Sequence, residues 1–148
     1  MQAKSRQRRS ARAILLNNVG RVLLIRFVVP RDAGTFTFWA TPGGEIEEGE
    51  TDLGAAQREI CEELHLSIPL TGPVHTACGR FEHEGVATEN TDVFFVGRCH
   101  GDTPLLRGVS FAERAVMQTT KWWSADEIEA SAETIFPRDL GAVVRHLA

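Results

Sequence analysis

The stretch from Gly44 to Leu66, GEIEEGETDLGAAQREICEELHL, orders the reading of the whole chain. Between Glu45 and Glu63 it holds eight acids and one base, Arg58, a net charge of −7. The rest of the 148-residue chain therefore carries +3 of the overall −4. Carboxylates packed this densely attract cations before they attract phosphate. From Thr51 to Leu64 the apolar residues Leu53, Ala56, Ile60 and Leu64 recur at helical spacing and define one stripe. Thr51 is the expected N-cap, and Asp52 suits the positive end of the helix. At about 100° per residue, Glu62 and Glu63 fall on either side of Glu59, so three carboxylates share a face beside the stripe. Gly54 inside the helix has no reason visible in the sequence and costs up to ~1 kcal/mol against Ala.

Such a face has two readings. It can be a solvated acidic surface, or it can hold a hard divalent cation, Mg²⁺ or Mn²⁺, which prefers oxygen ligands and keeps waters and phosphates in its shell. Glu59 and Glu63 repel one another as a like-charge i,i+4 pair, and a cation reverses that penalty. Gly43-Gly44 lets backbone approach a ligand closely, or simply turns the chain. Arg58, the one base of the segment, has an i,i+4 partner in Glu62.

Outward from this segment, the chain reads as one α+β domain. Arg12 to Leu16 and Arg21 to Val29 are strand-like and joined by Asn-Asn-Val-Gly, which is hairpin chemistry. Thr35 to Trp39 alternates small polar and aromatic residues as a half-buried strand does, and Thr41-Pro42-Gly43-Gly44 breaks it. Val74 to Phe81 and Asp92 to Cys99 are two more expected strands, with Glu82 to Asn90 as their loop. A short helix is expected near Phe111 to Met117, then a strand at Lys121-Trp122-Trp123. Ser124 and Glu127 form a capping box for the next helix. Pro137, followed by Leu140, Val143, Val144 and Leu147, marks an amphipathic C-terminal helix. Residues 1–10 carry Lys4, Arg6, Arg8 and Arg9 without hydrophobic periodicity and read as a flexible basic tail or, in a sharper reading, a nucleic-acid arm. The domain is then 11–148. Three cysteines without paired spacing, no long apolar run and no signal-peptide pattern suggest reduced thiols in a cytoplasmic protein with no membrane segment.

Gly44, Glu50, Arg58-Glu59 and Glu62-Glu63, with aliphatic Ile60 and Leu66, resemble the Nudix box, G-x5-E-x7-R-E-U-x-E-E-x-G-U, where U is aliphatic. His65 stands where the family has glycine. That glycine ends the helix in a left-handed conformation, and His is among the more tolerant substitutes there; a metal-ligand role for His65 is the alternative. The KWWSADEI stretch, Lys121 to Ile128, also looks like a segment many Nudix domains carry. The resemblance implies an α/β/α sandwich with a mixed β-sheet. It implies a divalent-metal-dependent pyrophosphohydrolase that cleaves a diphosphate linkage in a nucleotide by water attack at phosphorus. It implies a metal site from the Gly43 carbonyl, Glu59, Glu62 and Glu63, with Gly44 against the substrate and Arg58 orienting a glutamate and pairing with Glu50. The base that activates water is Glu59 in some members and a distant loop glutamate in others. Glu113 is the candidate for the latter, unless it is an ordinary surface residue. Arg26 is a candidate phosphate contact or a strand-edge surface residue, and Trp39 a stacking partner for a base or a core residue. A small nucleotide is the expected partner rather than nucleic acid. The oligomeric state stays open, a homodimer included. Two other functions compete: a Nudix-like module that binds nucleotide or RNA without cleaving it, and an acidic domain without ligand.

Overall fold

The computed structural model describes residues 6–83, 85–101, 103–106 and 116–147, with the backbone alone at 81–83. Within these, eight strands form one mixed sheet: β1 (Arg6–Leu16), β2 (Val22–Arg31), β3 (Gly34–Ala40), β4 (Gly43–Glu45), β5 (Thr71–His83), β6 (Val86–Arg98), β7 (Met117–Trp123) and β8 (Ile135–Phe136). Their order is β5-β6-β1-β2-β3-β8, with β4 beside β1 and β7 beside β2. β1–β6 and β3–β8 run parallel, the other pairs antiparallel. Three helices lie among the described residues: α1 (Asp52–Leu64), α2 (Ala125–Ala130) and α3 (Leu140–Leu147).

The alternation of β1 and β2 builds two cores. Ala11, Ala13, Leu15 and Leu23 face Ala56, Ile60 and Leu64 of α1. Ile14, Leu16, Val22 and Leu24 face Ile128 of α2 and Leu140 and Val144 of α3. Successive side chains of a strand point to opposite faces, so a run apolar at every position, Ala13 to Leu16, must be covered on both. That gives the expected three-layer α/β/α sandwich.

Several expectations are met closely. Thr51 caps α1 by accepting from the Gly54 amide at 3.0 Å. A β-carbon on Gly54 would stand 2.9 Å from that hydroxyl, so the cap supplies the reason for the glycine. His65 ends α1 at φ 50° and ψ 39°, and the Leu66 amide reaches back to the Ile60 carbonyl at 3.3 Å. This is the left-handed helix end foreseen for the glycine position, formed with a histidine. The Ser124–Glu127 capping box is present in both directions, at 3.0 and 3.1 Å.

Two expectations need correction. Residues 6–10 are not tail: they are the first half of β1 and pair in parallel with β6, Arg6 opposite Thr88 through Ser10 opposite Asp92. The expected loop 82–90 is largely strand, since β5 runs to His83 and β6 begins at Val86, with Gly85 at φ 76° between them. One cause underlies both. These segments are polar, so hydropathy does not mark them, and their cohesion comes from the backbone ladder and polar cross-strand contacts such as Ser10 Oγ to Asn90 Oδ1 at 3.3 Å. A further correction falls on the expected helix Phe111 to Met117: Met117 opens β7, Val116 before it is a turn residue, and residues 111–115 lie outside the described residues.

Candidate active site

β4 carries Gly43–Glu45 past the side of α1, held on β1 by the pairs Arg12–Gly43, Ala11–Gly44 and Ser10–Glu45. At Gly43, φ is 148°, and a β-carbon would lie 2.4 Å from the Ala11 carbonyl oxygen. Gly44 faces the helix instead: its β-carbon would lie 2.5 Å from Glu59 Oε1. The two glycines thus do different work. The first lets β4 lie against β1, and the second clears the space that the Glu59 carboxylate fills.

The three box carboxylates do not lie alike. Glu63 is buried at 4% exposure, whereas the side chains of Glu59 and Glu62 are 16% and 58% exposed. The helical wheel explains the split: Glu63 is rotated toward the apolar stripe and Glu62 away from it. Burial pushes the Glu63 carboxyl up to about 9, reinforced by its hydrogen bond to Glu59 and by that residue's charge. The Arg12 charge and the Gly43 amide pull the other way. Glu63 Oε2 is buried without a hydrogen-bond partner.

Arg58 ties the box together. Its Nε and Nη2 take both oxygens of Glu50 at 2.8 and 2.9 Å, a bidentate pair. Nη1 reaches Glu59 Oε1 at 3.0 Å and Glu62 Oε2 at 3.3 Å, and Nη2 also donates to the Glu45 carbonyl at 3.1 Å. The Glu50 pairing and the Glu62 surface pair therefore coexist. Glu50 is lowered to about 2 by its bonds to Arg58 and to the Glu47 amide, and Arg58 is raised, chiefly by Glu50.

Among the described residues, no three His, Cys, Asp or Glu side chains converge into a ready metal cage, because Glu62 turns to Arg58. Two observations nonetheless fit a hard cation: the orphaned, buried oxygen of Glu63, and the Glu59 carboxylate seated against Gly44 beside it. Two carboxyl groups side by side, one with an oxygen that lacks a partner, are an oxygen donor set that a divalent ion satisfies.

The basic segment proves to be the counter-charge of the acidic one. Arg9 takes both oxygens of Asp52 at 2.9 and 3.3 Å, and Arg8 Nε stands 3.6 Å from Glu45. Sequence reasoning also missed Arg12, which bonds Asp92 and the Thr41 carbonyl, both at 3.0 Å. The signal was there: a charged residue inside the apolar run Ala11 to Leu16 needs a partner when the strand is central.

Two candidates lie on the other face of the sheet. Trp39 is 6% exposed and packs edge-on against Trp123 at 5.2 Å, with its ring nitrogen donating to Glu133, so it is a core residue and offers no face to a base. Arg26 is the cross-strand partner of Trp39 and so leaves the sheet on that same face, away from α1, where it bonds Gln118. Neither joins the Glu59–Glu63 cluster. His65 makes no metal site with other described residues. Glu113 lies outside the described residues.

A three-layer fold with a glycine turn against an acidic, arginine-tied helix defines a class, and residues 6–144 match the NUDIX domain family. The chain belongs to the Nudix hydrolases, a family of pyrophosphohydrolases that are typically divalent-metal dependent. It is 33% identical over 87 residues to Nudix hydrolase 5 of Arabidopsis thaliana, covering 57% of this chain and 26% of that protein. The chain thus spans about a quarter of that curated relative. Its fold resembles the MutT Nudix hydrolase of Burkholderia pseudomallei (TM-score 0.71, 18% identity, 97% and 99% of the two chains). It also resembles the dihydroneopterin triphosphate pyrophosphohydrolase of E. coli (TM-score 0.67, 23% identity, 97% of each chain). No described helix is long and apolar enough to cross a membrane.

Proposed function

We propose that this chain is a Mg²⁺- or Mn²⁺-dependent hydrolase that cleaves a diphosphate linkage in a nucleotide by water attack at phosphorus. The observation that carries the reading is the pair of adjacent carboxylates, Glu59 and Glu63, one with a buried oxygen lacking a partner, beside a glycine turn. Gly43, Glu59, Glu62 and Glu63 would hold the ion. A bound divalent cation supplies Lewis acidity, neutralising phosphate charge and acidifying water. The residues of the chain do the rest. Arg58, locked by Glu50, holds Glu59 so that its carboxylate can take a proton from the attacking water. Glu113 stays the alternative base. Gly44, bare of a side chain, leaves the room in which the Glu59 carboxylate sits against the turn. The relative that processes dihydroneopterin triphosphate supports a nucleotide-like di- or polyphosphate as the substrate class. The free thiols of Cys61, Cys78 and Cys99 suit the cytoplasmic setting that belongs to this reading.

The test is phosphate and pyrophosphate release from a nucleotide panel with Mg²⁺, for the native chain and Glu59→Gln. Turnover of at least one nucleotide, reduced at least a hundredfold in Glu59→Gln, is expected. A native chain that binds nucleotide tightly yet turns over none would place it among non-cleaving binding modules. The contacts of Arg8 with Glu45 and of Arg9 with Asp52 occupy two of the four bases on which that alternative rests.

A further inference from the structure

We propose that Arg12 is a positioning residue for the hydrolytic site: braced on Asp92, its guanidinium fixes the Thr41 carbonyl and, through it, the turn that sets Gly43 and Gly44 against the box carboxylates. This rests on the hydrolase reading for its consequence, but the geometry stands by itself. Arg12 Nε meets Asp92 Oδ1 at 3.0 Å, and Nη1 donates to the Thr41 carbonyl at 3.0 Å. The fork therefore spans two strands' worth of structure. Asp92 lies on β6, in register with Ser10, so it is the diagonal neighbour of Arg12 on the same face. Thr41 is fully buried and opens the segment Thr41–Gly44. The ion pair is itself mostly covered, at 23% exposure for each side chain, so water competes for it weakly.

The glycine turn is shaped around this arginine. Arg12 is the cross-strand partner of Gly43, and a β-carbon on Gly43 would stand 2.7 Å from Arg12 Cγ. The stem of Arg12 thus lies along the back of the residue whose carbonyl would face a metal, while Gly44, one step on, faces Glu59. The backbone also has independent anchors here, since the Ala13 amide donates to the Pro42 carbonyl at 2.9 Å and the β1–β4 ladder runs beside it. Loss of the guanidinium would loosen the turn without releasing it. A loosened turn matters because a displacement of order 1 Å in a phosphoryl-transfer site costs about a hundredfold in rate.

Arg12→Met preserves the stem and removes both hydrogen bonds and the charge. Three measurements are compared with the native chain: the thermal midpoint, kcat and KM on the best nucleotide of the panel, and Mn²⁺ affinity in the absence of nucleotide. The expected result is a midpoint within a few degrees, kcat down roughly 10- to 100-fold with KM changed less than about threefold, and Mn²⁺ bound several-fold more weakly. Native-like kcat and Mn²⁺ affinity would overturn the proposal. So would a kcat loss that accompanies a fallen midpoint with unchanged Mn²⁺ affinity, because that marks a merely structural residue. If Arg12→Met does not fold, Arg12→Lys decides: it keeps the charge but replaces the rigid planar fork by one ammonium on a flexible stem, and native-like kcat together with native-like Mn²⁺ affinity there refutes the role. Should the native chain turn over no nucleotide, the hydrolase reading fails, and the Mn²⁺ comparison still tests the positioning.

Discussion

Replacing Gly43 and Gly44 by alanine, one at a time, should break the protein in two different ways. At Gly43 the new methyl group would meet backbone, 2.4 Å from the Ala11 carbonyl oxygen and 2.7 Å from Arg12 Cα, at a φ of 148°. Neither obstacle can swing aside. The backbone conformation costs about 1–3 kcal/mol for a non-glycine residue, and the forced separation of β4 from β1 about 1–3 kcal/mol more. A total of ~2–6 kcal/mol is a large part of the roughly 5–15 kcal/mol that holds a typical domain together. At Gly44 the methyl group would meet the tip of a side chain, 2.5 Å from Glu59 Oε1 and 2.7 Å from its Cδ. A carboxylate rotates away cheaply, so the stability cost should stay under ~1 kcal/mol. The displaced carboxylate leaves Arg58 and its seat beside Glu63, however, and activity should fall about a hundredfold. Urea unfolding and initial rates on the same preparations separate the two effects. Gly43→Ala should unfold at much lower urea, and Gly44→Ala at nearly native urea but with little turnover. Equal loss of stability in the two variants, or a fully active Gly44→Ala, would show that the turn does not divide its work in this way.

Other outcomes follow from the charges and caps. Glu63 is protonated more readily in the folded state than in the unfolded one, about 9 against 4.5, so its burial penalty is absent below pH 4.5 and grows as pH rises toward 9. Glu63→Gln should therefore lie closest to the native chain near pH 5 with chelator and gain on it in stability as pH rises to 7.5; a gap that does not widen with pH contradicts the burial argument. Glu50 has the opposite sign: its carboxyl is lowered to about 2, so the Arg58 pairing stabilises fully above pH 4.5 and is lost as pH falls toward 2. Glu50→Gln should lower the denaturation midpoint at pH 6 and much less at pH 3, and equal effects at both would exclude an ionic origin. His65→Gly should raise stability by roughly 0.5–1 kcal/mol by relieving the left-handed backbone at φ 50°, with rates unchanged; a loss of stability would mean that the imidazole itself supports the helix end.

Local spacing was enough to place α1, its Thr51 cap and the Ser124 box, because each depends on residues within one or two helical turns; the left-handed end at His65 came from the family's glycine position. Spacing paired Arg58 with Glu62, and the resemblance paired it with Glu50. What spacing could not weigh was burial. On the wheel, Glu59, Glu62 and Glu63 share one face, with Glu63 nearest the apolar stripe; the packing of α1 turns that lean into burial, with Glu63 Oε2 left without partner and Glu62 out on Arg58. Trp39 and Arg26 lie apart from the carboxylate cluster for a related reason. Each strand alternates faces, and which face meets α1 is decided by the neighbouring strands, not by the residues themselves.

By itself, then, the amino-acid order determined the acidic Nudix-box segment, its helix and its family, since that pattern is local and dense in charge. Tertiary structure alone decided what neutralises it. Arg8, Arg9 and Arg12 look like a basic tail and a stray charge in one dimension. In three, β1 is drawn between β6 and β4, and those arginines reach Glu45, Asp52, Asp92 and the Thr41 carbonyl. Such pairs join residues up to 80 positions apart. Strand pairing brings them together through backbone hydrogen bonds, which carry no side-chain pattern to read.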